Sequence, residues 1–368
     1  MPDAASQPPR RLQATTVARH LGRALRFGAP SGWYGTPAVW DGWWPPSAAG
    51  VVAGARRETL PDELRLRYDA LLADGATVGL PPAVLERAFA GGARLDALAF
   101  LVATWLELTV RDRAQVAAPL APFGSPASFV SSAPFGRPRE VRLGDALARQ
   151  TGSTTCGSAV LTMLAAAGDP VLALWLVTGR AARDAVPREV RELSAADGTL
   201  PDAAARWGAV QRAVKRRSNR TALGPLPWPA SLGTPPWGAA RTARFPGAAF
   251  RSVMIDDTDT RALRALLSRI ERSLAAGVSV PLFTGGDLGG GPAAAFPRHV
   301  VLLTPDADPD QTGAGVDPTG AGSSRYTVYE PSSGALHRIT RAELLAPSGA
   351  RAALGGWSHA SWAVLPGT

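Results

Sequence analysis

The apolar residues of this chain change their period once, and that change most restricts the folds open to it. From Glu58 to about Ala118 they recur at helical spacing, a Pro/Ser/Gly-rich linker over 119–140 leads to further helices and a mixed stretch over 185–250, and beyond Asp256 one more helix gives way to short apolar runs bounded by Gly, Pro and Asp. Helices first and strands afterwards predict an α+β fold. Pro61-Asp62-Glu63 and Pro81-Pro82 are helix openings, and Leu95 to Val110 reads as a further, mostly buried helix. An apolar helix is expected from Cys156 to Ala167, closed by Gly168-Asp169-Pro170, then helices over Val171–Ala182, Ala203–Val214 and Arg261–Ala276. Strands are expected over Val278–Phe283, His299–Leu303 and Arg325–Tyr329, with another running through Ile339 after a turn at Pro331-Ser332-Ser333-Gly334.

These elements suggest three parts. Residues 1–54 form an irregular arm dense in tryptophan and proline, residues 55–125 a small helical subdomain, and residues 126–368 the part that carries chemistry, with an insertion at about 185–250. The arm's aromatic surface, from Trp33 to Trp44, should be packed over its own domain or offered to a sugar ring or peptide.

Composition removes several classes of function. One cysteine excludes an internal disulfide and any zinc site of the multi-cysteine type, so no cofactor and no metal are expected. The net charge of +9 is carried by arginine, with Lys215 the one lysine among 39 basic residues. The arginines are spread along the chain, and its tight run, Lys215-Arg216-Arg217, reads as a solvated helix end and not as a nucleic-acid contact. Residues 1–27 hold no apolar segment of secretory type, and the apolar run Ala97–Leu106 is too short to cross a bilayer. The expected location is therefore the cytoplasm, without a membrane span.

The residues that point to chemistry lie in the C-terminal part. A cysteine works as a nucleophile when it ionises, and the first turn of a helix beside an imidazole favours that. Cys156 occupies such a position: Thr154 or Thr155 can cap the helix, and Gly157 and Ser158 leave room beside the sulfur. Gln150 could turn its amide back to form an oxyanion hole with the Cys156 backbone N–H. The base must come from elsewhere among four histidines. His20 lies in the basic N-terminal segment, His337 in a polar strand or turn and His359 near the end, whereas His299 opens an apolar strand directly after a glycine-rich loop. The third member should hold the imidazole tautomer. Glu330 ends the next strand and would reach His299 if the two strands pair antiparallel; Asp306, Asp308 and Asp310, in the loop between them, are its rivals. Trp175 and the loop Gly285–Pro297 are expected to bound the cleft.

Taken in order, Gln150, Thr-Thr-Cys156-Gly-Ser-Ala, Gly-Val-Ser-Val-Pro281, Arg-His299-Val-Val-Leu-Leu and Tyr-Thr-Val-Tyr-Glu330-Pro-Ser-Ser-Gly334 resemble the bacteriocin-processing, C39-like branch of papain-like cysteine peptidases over about residues 145–347. The resemblance implies a helical half carrying the cysteine and an antiparallel sheet half carrying the histidine. It assigns Cys156 as nucleophile, His299 as base, Gln150 as oxyanion donor and Glu330 as orienting residue, with glutamate where the family has aspartate. It implies hydrolysis of a peptide or other amide substrate through a thioester. An acyltransferase or transglutaminase-like enzyme would use the same residues, and a catalytically silent papain-like binding protein would share the fold.

Overall fold

The computed structural model describes residues 13–17, 48–120, 138–286, 297–305, 325–346 and 349–367. Most of the Trp-rich arm, the linker over 121–137 and the loops over 287–296 and 306–324 lie outside the described residues, and with them His20, Asp306, Asp308 and Asp310.

The N-terminal helices are α1 (Ala49–Glu58), α2 (Asp62–Thr77), α3 (Pro82–Ala90), α4 (Leu95–Trp105) and α5 (Val110–Ala117). Pro61 and Pro81 stand at the caps of α2 and α3, and the Thr109 hydroxyl accepts the Asp112 N–H to cap α5. Helix α1 runs across residue 54, where the arm was expected to end. Its glycines hide the period, and tertiary contacts hold it: Ala53 is buried, and the Arg56 guanidinium lies 4.2 Å over the Phe89 ring and donates to the Ala93 carbonyl. These helices do not keep a core to themselves. Leu85, Leu98 and Leu101 belong to one apolar cluster with Leu161, Leu164 and Leu172 of the following helices.

Helices α6 (Cys156–Gly168) and α7 (Pro170–Thr178) are bent by 114° at Asp169. One Asp169 oxygen accepts the Val171 and Leu172 N–H groups and caps α7, and the other accepts from Arg244 at 2.9 Å. Arg244 also holds Glu189, of the short helix α8 (Arg188–Arg191), at 2.8 Å. Helix α7 stops at Thr178, short of the expected Ala182, because Gly179 takes φ +78° and returns its N–H to Trp175. Helix α9 (Ala203–Asn219) instead continues past Val214, since basic residues suit its carbonyl end and Asp197 and Glu192 pair with Arg216 and Arg217. Then come α10 (Pro236–Thr242), α11 (Thr260–Ala275) and α12 (Arg341–Leu345).

The strands are β1 (Arg139–Glu140), β2 (Arg142–Leu143), β3 (Ala146–Leu147), β4 (Ala249–Met254), β5 (Val280–Gly285), β6 (His299–Thr304), β7 (Arg325–Glu330), β8 (Ala335–Thr340) and β9 (His359–Gly367). Seven of them form one antiparallel sheet in the order β1-β8-β7-β6-β5-β9-β4, so the chain is α+β. The flanking strands β4 and β9 were not foreseen. The first is half exposed along its length and the second ends in Pro366-Gly367, so neither carries a clear period. Helices cover both sheet faces: Val300, Leu302 and Tyr329 join the cluster of α6 and α7, while Val301, Leu303 and Val328 pack with Leu263, Leu267 and Ile270 of α11. Burial on both sides is why β6 reads as an unbroken apolar run.

Among the described residues no single helix is long and apolar enough to cross a membrane; α6 and α7 qualify only together, and they are sharply bent and packed in the core. Asp169→Ala removes a helix cap and strips the largely buried Arg244 of one anion. The expected cost is about 3–5 kcal/mol, read from urea unfolding monitored by circular dichroism.

Candidate active site

Cys156 is the first residue of α6 and is buried. The expected threonine cap is absent. Thr155 stands at the cap position, but its hydroxyl exchanges hydrogen bonds with the N–H and carbonyl of Gly152, both at 2.9 Å. The Thr154 hydroxyl accepts from the Lys215 ammonium at 2.5 Å. Neither threonine therefore occupies the N–H groups of the first turn, which carry the positive end of the helix dipole beside the sulfur.

The approach to the cysteine is held by α9, part of the insertion that the sequence left without a role. Trp207, Gln211 and Lys215 recur every fourth residue and so line one face of that helix. The Trp207 indole N–H and the Gln211 amide both donate to the Arg149 carbonyl, at 2.6 and 3.0 Å. The Gln211 oxygen accepts the Thr151 N–H at 3.2 Å, and Lys215 reaches Thr154. This polar stripe within an apolar helix face was the available signal, and it lies along the chain from Arg149 to Thr154.

His299 begins β6, opposite Thr284 of β5. The ladder between β6 and β7 closes at Leu302 and Tyr329, and just beyond it the two strand ends bring His299 Nε2 within 2.7 Å of Glu330 Oε1. The Glu330 carboxylate also accepts the backbone N–H groups of Ser332 and Ser333, each at 2.7 Å. A carboxylate with those donors stays ionised, so Nε2 carries a proton and Nδ1 is the nitrogen left for the Cys156 side chain, which interacts with the same ring.

Burial works against charge on both partners, and the contacts outweigh it. Burial pushes the His299 imidazole down, but hydrogen bonds and charge from Cys156 and Glu330 raise it to about 9. Burial pushes Glu330 up, but His299, Ser332 and Ser333 bring it down to about 2.

A glycine fits the ring in place. Gly355 has φ +67°, and a Cβ there would fall 2.1 Å from His299 Cδ2 and 2.6 Å from Nε2. The preceding residue is fixed by a hydrogen bond from Thr284 to the Leu354 carbonyl at 2.9 Å. Motif spacing gave no hint of this contact, which comes from a turn more than fifty residues downstream.

Cys156, His299 and Glu330 are thus brought together. Gln150 is tied to the same turn but not to the sulfur: its amide donates to the Gly152 carbonyl at 3.0 Å, its oxygen accepts from Ser332 at 3.3 Å, and its N–H donates to the Pro331 carbonyl at 2.8 Å. Trp175, expected to bound the cleft, is buried in the apolar cluster that also contains Cys156. The loop Gly285–Pro297, also expected to bound the cleft, lies mostly outside the described residues. His337 contacts Ser333 at 3.1 Å, and His359 forms a buried pair with Asp257, Nδ1 to Oδ2 2.5 Å, within the sheet. Within the basic run, Arg216 pairs with Asp197 and Arg217 with Glu192.

Neither protein-family models nor curated proteins yield a match to this chain. Among the described residues no group of three or more His, Cys, Asp or Glu side chains could hold a metal ion.

Two outcomes follow from this geometry. A carboxylate held low in the folded state contributes stability that is complete above the usual glutamate value of 4.5 and is lost as pH falls through about 2. Thermal melts between pH 5 and 3 should therefore fall more steeply for the wild type than for Glu330→Gln. Gly355→Ala should displace the imidazole while the sheet stays folded, and native Cys156 labelling by iodoacetamide should drop at least tenfold, about the effect of losing a positioned base.

Proposed function

We propose that this chain is a thiol-dependent amidase or peptidase of papain-like architecture, acting through Cys156, His299 and Glu330. The observation that carries the reading is an imidazole hydrogen-bonded to a buried carboxylate through Nε2 while it also interacts with the side chain of a helix-opening cysteine. A histidine with a merely structural role has no need of a thiol partner at an uncapped helix start.

The reaction runs in two stages. The Cys156 proton passes to His299 Nδ1, and the sulfur attacks the amide carbonyl carbon, forming a C–S bond. The oxyanion that develops is held by backbone N–H of the first turn of α6; Gln150, whose amide rests on the Gly152 carbonyl, would have to turn to add a second donor. As the C–N bond breaks, His299 returns its proton to the leaving amine. Water then gives a proton to His299 and its hydroxyl to the thioester, releasing the acid and restoring the thiol. Glu330 keeps the ring turned with Nδ1 toward the sulfur throughout.

The ring's position near 9 sets the direction of the pH dependence. The imidazolium that must protonate the leaving amine persists through neutral pH and is lost as pH rises through about 9, so amide cleavage should decline there. The reading is tested on Cys156 itself. At pH 6–7 the native protein should react with iodoacetamide at least tenfold faster than the urea-unfolded chain, as expected of an imidazole-paired thiol. His299→Ala should abolish that excess; equal rates for native and unfolded wild type would refute the assignment.

A further inference from the structure

Several basic side chains around the insertion helix are neutralised by neighbouring carboxylates, but the one beside Cys156 is not. Arg212 and Arg216 share Asp197, Arg217 takes Glu192, and Arg244 takes Glu189 and Asp169. Among the described residues Lys215 has no carboxylate partner. Its ammonium is half-buried and donates to the neutral hydroxyl of Thr154, two residues before Cys156, which leaves its charge uncompensated and further N–H groups unused. Helix α9 fixes where that charge sits, because Trp207 and Gln211 on the same face are bonded to the loop that delivers the cysteine. Burial pushes the ammonium down, and the charge of Cys156 opposes that shift, so the two side chains are within electrostatic reach of each other.

A half-buried cation without an anion is costly unless a ligand completes it. The choice of side chain fits the task. In a chain that otherwise uses arginine, this position holds the compact ammonium, which acts as a point charge where a guanidinium would present a fixed fork.

The geometry points to an anion-accepting subsite at Lys215, selecting substrates that carry a carboxylate within a few bonds of the carbonyl attacked by Cys156. This rests on the thiol chemistry proposed above. Lys215 is a specificity-determining residue in it, not a participant in proton transfer.

Two alkylating reagents of nearly equal size test the point, neutral iodoacetamide and anionic iodoacetate, used on the full-length protein at pH 6.5 and low salt. Lys215→Met should slow iodoacetate about tenfold relative to iodoacetamide, the effect of removing one close charge in a partly buried site. Arg212→Met, which removes an equal charge one turn away, should leave the ratio of the two rates unchanged. Chemical modification gives the same comparison without a variant, since Lys215 is the chain's single lysine. Acetylation should reproduce Lys215→Met, and reductive methylation, which keeps the charge, should behave as wild type. An unchanged ratio, or equal slowing of both reagents, would overturn the subsite while leaving His299-dependent labelling intact. If native Cys156 reacts no faster than the unfolded chain with either reagent, the thiol chemistry and the subsite fall together.

Discussion

The site depends on one buried carboxylate. Glu330 terminates β7 at the point where the ladder to β6 has closed, and the turn behind it supplies two backbone N–H donors that leave it no reason to take up a proton. That anion fixes which nitrogen of His299 is protonated and which way the ring faces. Glutamate is long enough to serve here because its chain folds back over its own turn, with Ser332 and Ser333 spanning the two oxygens. The turn is anchored from outside as well, by the Arg149 side chain on the Ser332 carbonyl and by the Gln150 N–H on the Pro331 carbonyl.

Those anchors join the two halves of the site. The segment that leads into Cys156 bonds on one side to the Glu330 turn and on the other to α9, so the cysteine is placed by the sheet and the insertion together. A helix inserted after α6 thus returns to support it. The same helix carries an uncompensated ammonium to the sulfur, which links local scaffolding to the proposed selection of an anionic substrate.

Much of the site could be read from residue order. Cys156 at a helix start, His299 at a strand start and Glu330 at the next strand's end were recognisable because each lies at an element boundary marked by glycine, proline or a polar run. The residues that escaped notice act across long sequence separations without a local signature. Gly355 matters only because a turn between α12 and β9 meets the imidazole, and glycine in a turn has many other uses. Lys215 sits in a basic run whose other members, Arg216 and Arg217, are ion-paired arginines. Thr155 misled because a threonine before a helix usually caps it, whereas here its hydroxyl closes the preceding turn on Gly152. The strand β9 was missed for a related reason: its burial comes from the sheet around it, between β5 and β4, and not from an alternating pattern of its own.

The close approach of Gly355 has a consequence for proton traffic. Glu330 occupies Nε2, the bare glycine backbone lies against the Cδ2 edge, and His299 as a whole is buried. So hemmed in, the imidazole has little room to turn over and little contact with bulk water. A proton taken from the thiol would then be retained until the departing amine collects it.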